Sequence, residues 1–121
     1  MLSPKTLITY SILILLLDMP WLLLTQSWVS DMVRSIQIKP MVLRTWAAPV
    51  VYLALGFLLH YPRSIYEAFM MGLSIYAVFD FTNYAIFDKY QLPFALADTM
   101  WGGTLFASAY YMKGVLSKWL D

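Results

Sequence analysis

The sequence predicts an all-α integral membrane bundle of four transmembrane helices, with an interfacial amphipathic segment between helices one and two. Composition is the first reason. Hydrophobic residues make up 61% of the chain and charged residues 12%, where soluble domains sit near ~45–50% and ~25%. The second is a mean hydropathy of +0.66. The third is the pattern, because segments near 6–26, 41–61, 65–87 and 92–112 each reach the ~20 mostly apolar residues that a span needs. At 121 residues the chain reads as a single domain, 1–121.

The first segment follows Lys5 and is interrupted by Asp18. Asp18-Met19-Pro20-Trp21 lacks the small-x-small pattern of a signal-peptide cleavage site, so the helix is expected to be retained. Pro20 leaves the Leu16 carbonyl without its helical donor, which predicts a kink. In Ser27 to Pro40, Trp28, Val29, Met32, Val33 and Ile36 recur at helical spacing among Asp31, Arg34 and Lys39, the pattern of an interfacial helix. The second span is the cleanest: the eighteen residues between Arg44 and Arg63 hold no acid or base except His60. Short links at Tyr61–Ser64 and Phe87–Pro93 predict antiparallel neighbours, with both termini on one side. Basic residues divide evenly, Lys5, Arg63, Lys113 and Lys118 against Arg34, Lys39, Arg44 and Lys89. The positive-inside rule is therefore balanced, and only the amino terminus and terminal lysines favour a cytoplasmic location for the termini. Trp46 and Trp119 read as interfacial anchors.

Asp18, Asp80 and Asp98 interrupt spans one, three and four. At ~1.5 Å per residue they lie ~12, ~10 and ~9 Å from the far ends of their segments. Antiparallel threading thus brings all three to a similar depth. An acid at the centre of a span costs about 2.5–3.5 kcal/mol, so the three are expected to face inward and share partners, protons or a cation. Tyr76, Asp80, Asn83 and Phe87 follow one face of the third helix, and Asp98, Trp101 and Gly102 one face of the fourth. Asp-x-x-Trp occurs twice, at Asp18–Trp21 and Asp98–Trp101. Ala95, Thr99, Gly103 and Ala107, with Ala68 and Gly72, form small-residue stripes suited to close helix packing, within one chain or between copies.

The runs Tyr76–Ala85, Leu92-Pro93, Asp98–Gly102 and Asp18–Leu22 resemble the predicted membrane proteins grouped as domain of unknown function 2177. That family's pattern has a Tyr-Asp-x-Thr-Asn-x-Ala core, a Trp-Pro or similar pair, Asp-x-x-Trp-Gly and an Asp-x-x-Trp-Leu element. The resemblance covers nearly the whole chain. Here Phe79 replaces the tyrosine before Asp80, and Leu92 stands before Pro93; Tyr76, one turn back, is the expected phenolic donor to Asp80. The resemblance implies an architecture and motif positions, not an activity.

A net charge of +1 gives no footprint for nucleic acid. The absence of cysteine excludes disulfides and thiolate metal sites. One histidine leaves no zinc-type metal spacing, and no Gly-rich phosphate loop or serine triad marks a cofactor or a nucleophile. Three readings fit the residues. In the first, a homo-oligomer in the lipid bilayer conducts, transports or senses a proton or small cation. Its binding residues are Asp18, Asp80 and Asp98, oriented by Asn83, Tyr76, Trp21, Trp101 and Gly102. In the second, a membrane-embedded enzyme uses the paired acids on a lipid or isoprenoid head group. In the third, the acids form a structural polar network of a scaffold.

Overall fold

The computed structural model describes residues 2–120, with side chains described through Lys118; the Trp119 side chain lies outside the described residues. Four helices form an antiparallel up-down-up-down bundle: α1 Pro4–Gln37, α2 Ala47–Leu59, α3 Ile65–Ile86 and α4 Leu92–Leu120. Among the described residues α1 alone combines the length and apolarity of a membrane span.

Helix α1 opens with Ser3 as N-cap, its side chain accepting the Thr6 N–H at 3.1 Å, and with Pro4 in the first turn. It continues through Pro20 and does not stop near residue 26. The segment expected to form a separate interfacial element is instead the second half of this 34-residue helix. The reason is packing. Trp28, Val29, Met32 and Ile36 cover a second small core made by Tyr90, Phe94 and Ala95. The helix ends where Pro40 approaches: Ile38 turns into the left-handed region (φ 58°) and donates its N–H to the Arg34 carbonyl at 2.9 Å. The Gln37 amide donates to the Lys39 and Pro40 carbonyls, fixing the turn.

Residues 38–46 leave the helical state and expose Ile38, Val42, Leu43 and Trp46. Helix α2 therefore has 13 residues, well short of the segment drawn at 41–61. Its length is ~20 Å. Beyond it, Lys113 donates to the Leu59 carbonyl at 2.9 Å and lies over the Tyr10 and Tyr110 rings, a cation at a helix C-terminus. Helix α3 starts in a capping arrangement: Ser64 accepts the Glu67 N–H, and the Glu67 carboxylate accepts the Arg63 N–H at 2.8 Å.

The helices associate as two pairs, α1 with α2 and α3 with α4, and α1 then packs on α4. Gly56 of α2 lies directly on Ser11 of α1. The small-residue stripe is used within the chain: Gly72 of α3 faces the Gly102 carbonyl, and Gly103 of α4 lies under the Phe69 ring. That backbone-to-backbone approach explains why α3 and α4 form the tightest seam. The main core of Leu13, Ile14, Leu55, Leu59, Ala68, Leu105, Phe106 and Ala109 fills the half of the bundle that holds the α1 N-terminus.

Alanine at Gly72 would meet the Gly102 backbone, which has no rotamer to yield, while at Gly114 it meets open space. Gly72→Ala is expected to destabilise by about 1–3 kcal/mol, and Gly114→Ala to stabilise by about 0.5–1 kcal/mol through backbone entropy. Unfolding in detergent followed by circular dichroism checks both signs; equal, small effects would show that the α3–α4 seam is not close-packed.

Candidate functional site

At mid-bundle the three acids are brought together and withdrawn from the surface. Asp18, Asp80 and Asp98 are 4%, 0% and 7% exposed. Each sits where its helix turns a polar position toward a neighbour, and each has hydrogen-bond donors from another element.

The Asp-x-x-Trp pairs are crossed. The indole N–H of Trp21 on α1 donates to Asp98 on α4 at 2.8 Å, and that of Trp101 on α4 donates to Asp18 on α1 at 2.7 Å. Between antiparallel helices an i, i+3 offset on one strand of the pair runs opposite to the offset on the other. Each tryptophan therefore arrives level with the partner's acid. The two indole rings lie between the bonds, stacked with centroids 5.4 Å apart and planes 11° from parallel. Such stacking adds ~0.5–1.5 kcal/mol beyond area burial. Two turns further on, Trp28 donates to the side chain of Gln91, the residue before α4, at 2.7 Å, so three indole N–H groups tie α1 to α4 and its leading residue.

The second oxygen of Asp18 accepts the Tyr52 hydroxyl at 2.6 Å. Asp80 accepts the hydroxyls of Tyr90 at 2.7 Å and Thr99 at 3.4 Å. Thr99, which donates to Asp80, is the residue next to Asp98, so the two buried carboxyls lie at one level of the bundle. The arrangement is a chain, Asp18 to the tryptophan pair to Asp98 to Asp80, and not a cage. Among the described residues no group of three or more acids or histidines has the geometry to hold a metal ion.

Several expectations need correction. Tyr76 was expected to supply the phenol for Asp80, but Tyr90 does so; the Tyr76 ring instead occupies the space over Gly102, where a Cβ would collide with it. Gly102 is therefore a packing position. Asn83 does not pair with Asp80, whose oxygens are engaged by Tyr90 and Thr99; it lines the cleft beside α1 instead. Tyr52 and Tyr90 were missed. Tyr52 had a legible signal as the one polar side chain in α2. Tyr90 had none, since it lies in the α3–α4 link outside any periodicity. His60 stands at the end of α2, edge-on to Tyr61, at the other end of the bundle from the α3–α4 link.

The cluster forms one end of a cleft of about 620 Å³ between α1 and α3. Asp18, Asp98, Tyr52 and Tyr76 line that end, and mostly apolar side chains line the rest, among them Val29, Val33, Phe79 and Phe87, with Thr25, Asn83, Tyr90 and Gln37 between them. No lysine, arginine or histidine lines it. The cleft exists because α2 is short: α1 extends beyond the α2 N-terminus with no fourth helix to separate it from α3.

The chain belongs to the family described as predicted membrane proteins with domain of unknown function 2177, whose model matches residues 4–115. No curated protein and no solved structure matches it. The family match extends over all four helices and both Asp-x-x-Trp elements.

Trp21→Phe and Trp101→Phe keep an aromatic ring but remove the N–H, and each leaves a buried carboxyl oxygen without its donor. Each is expected to cost about 1.5–3 kcal/mol, and the double variant less than the sum because the two rings touch. A double-mutant cycle from unfolding in mild detergent checks this; strict additivity would mean that the crossed pairs act independently.

Proposed function

We propose that this is a multi-pass membrane protein of four spans whose buried carboxyl chain takes up and releases protons, in transport or in sensing. The observation that carries the reading is the burial of Asp18, Asp80 and Asp98 at one level, each held by aromatic or hydroxyl donors, with no basic side chain lining the adjoining cleft. Intramembrane acids most often mark proton or ion pathways. A proton is favoured over a small cation because the three carboxyls are strung out in a chain and do not converge.

Membrane placement of all four helices is part of the proposal. The acids that lower the apolarity of α3 and α4 face inward, while Val78, Ile86, Leu92, Leu96 and Met100 face out. Helix hydroxyls are satisfied locally: Thr9, Ser74 and Thr104 each donate to the carbonyl four residues back. Lipid, which offers no hydrogen bonds, demands that economy. The 13-residue α2 covers about two-thirds of a ~30 Å hydrocarbon layer. The exposed Ile38, Val42, Leu43 and Trp46, flanked by Arg34, Lys39 and Arg44, would complete that crossing at the interface. Both termini then lie on one side, taken as cytoplasmic. Since the small-residue stripe is occupied by the α3–α4 seam, a homo-oligomer would form through outward apolar faces such as that of Leu92, Leu96 and Met100.

The second reading, an enzyme acting on a lipid or isoprenoid head group, draws on the cleft that leads to Asp18 and Asp98. It requires turnover of a lipid, which the proton reading does not.

The test is proton flux into vesicles loaded with a pH-sensitive dye. Wild-type protein should dissipate an imposed pH gradient, and Asp80→Asn should reduce the rate at least ~10-fold, the size expected for loss of a positioned proton carrier. Equal flux from both would contradict the proposal.

A further inference from the structure

The cleft between α1 and α3 has an unequal distribution of chemistry along its length. Measured on α1, it runs from Asp18 to Gln37, which is ~28 Å of helix. At about 620 Å³ it falls in the range of small-molecule sites, ~300–1,000 Å³. One end carries Asp18, Asp98, Trp21, Tyr52 and Tyr76. From there outward the α1 wall is Val29, Val33 and Ile36, and the α3 wall is Phe79 and Phe87.

We infer that this cleft binds a single-chain amphiphile with a cationic head, the head at the Asp18–Asp98 end and the hydrocarbon chain between α1 and α3. Charge complementarity selects the head. Two carboxyls line that end with no base to offset them, so an anionic head group would meet uncompensated repulsion while a cation supplies the missing charge. Trp21, Tyr52 and Tyr76 at that end are aromatic residues of the kind that attract a cation. Shape and polarity select the tail. The walls beyond the acids are mostly apolar, with Thr25, Asn83, Tyr90 and Gln37 as uncharged exceptions, α1 and α3 do not close on one another, and a narrow chain fits where a helix is missing. Both carboxyls of the cleft lie at its inner end, so a charged head has a fixed direction.

This inference rests on the proton reading and deepens it, because a cation arriving beside Asp98 competes with the proton which that reading assigns to the buried acids. Binding and proton release are therefore measured separately. Protein in phosphatidylcholine nanodiscs is titrated with dodecyltrimethylammonium and, in parallel, with dodecyl sulfate, following tryptophan fluorescence, since Trp21 and Trp101 are themselves at the head-group end. Saturable change is expected with the ammonium compound, at an affinity at least ~10-fold above that for the sulfate, a difference of ~1.4 kcal/mol. Asp98→Asn, which keeps an acceptor for Trp21, should weaken ammonium binding by a similar factor. Val33→Phe, which narrows the apolar wall, should weaken it too, while Leu24→Phe on the outward face of α1 should not. Equal affinity for both head groups, or no response to Val33→Phe in a folded protein, overturns the inference. If Asp98→Asn fails to fold, the head-group comparison and Val33→Phe still decide. Release of protons to a pH indicator in the same titration tests the earlier reading: selective binding without release overturns proton exchange and leaves the cleft's ligand as inferred.

Discussion

The crossed tryptophan–aspartate pairs are the constraint on which the rest of the structure depends. Helices α1 and α4 carry the same short element in opposite directions, and the two indole N–H bonds can form together only at one register. Fixing that register fixes the level of Asp98, and the α3–α4 seam, closed by Gly72 against Gly102, then sets Asp80 at the same level. Tyr52 brings α2 to the same level through Asp18. An acid cluster that would be expensive to bury unpaired becomes the point at which all four helices are keyed together.

The cleft follows from a different economy. A fourth helix of full length would fill the space between the second half of α1 and α3, but Pro40 ends α1 and the chain does not resume helix until Ala47. The resulting gap is mostly apolar because its walls are the faces that a longer α2 would have covered. Its inner end is polar because the keyed acids are there. Site and cleft are thus adjacent by construction, which is what gives the reading of a directional ligand its geometric basis.

Much of this was legible before the structure. The spacing of Asp18, Asp80 and Asp98 along antiparallel segments implied a shared level, and the doubled Asp-x-x-Trp element pointed to its neighbours. What escaped was information that lies between helices. Local offsets place Asn83 and Tyr76 near Asp80, yet Asn83 lines the cleft instead and the glycine at 102 draws in the Tyr76 ring. Tyr90, in a link without periodicity, supplies the actual phenol. The amphipathic pattern of residues 27–37 was correctly helical, but composition alone did not distinguish a membrane surface from the Tyr90–Phe94 core as the partner of its apolar side.

The stacked tryptophan pair offers the most direct measurement of the crossed register. Two indoles held nearly parallel at 5.4 Å should give an exciton couplet in the circular dichroism of the protein in lipid bilayers. The couplet should vanish in Trp21→Phe and in Trp101→Phe alike, and weaken in Asp18→Ala, where Trp101 loses its acceptor. A couplet that survives loss of either indole, or that Asp18→Ala leaves unchanged, would contradict the crossed arrangement and with it the gathering of the acids.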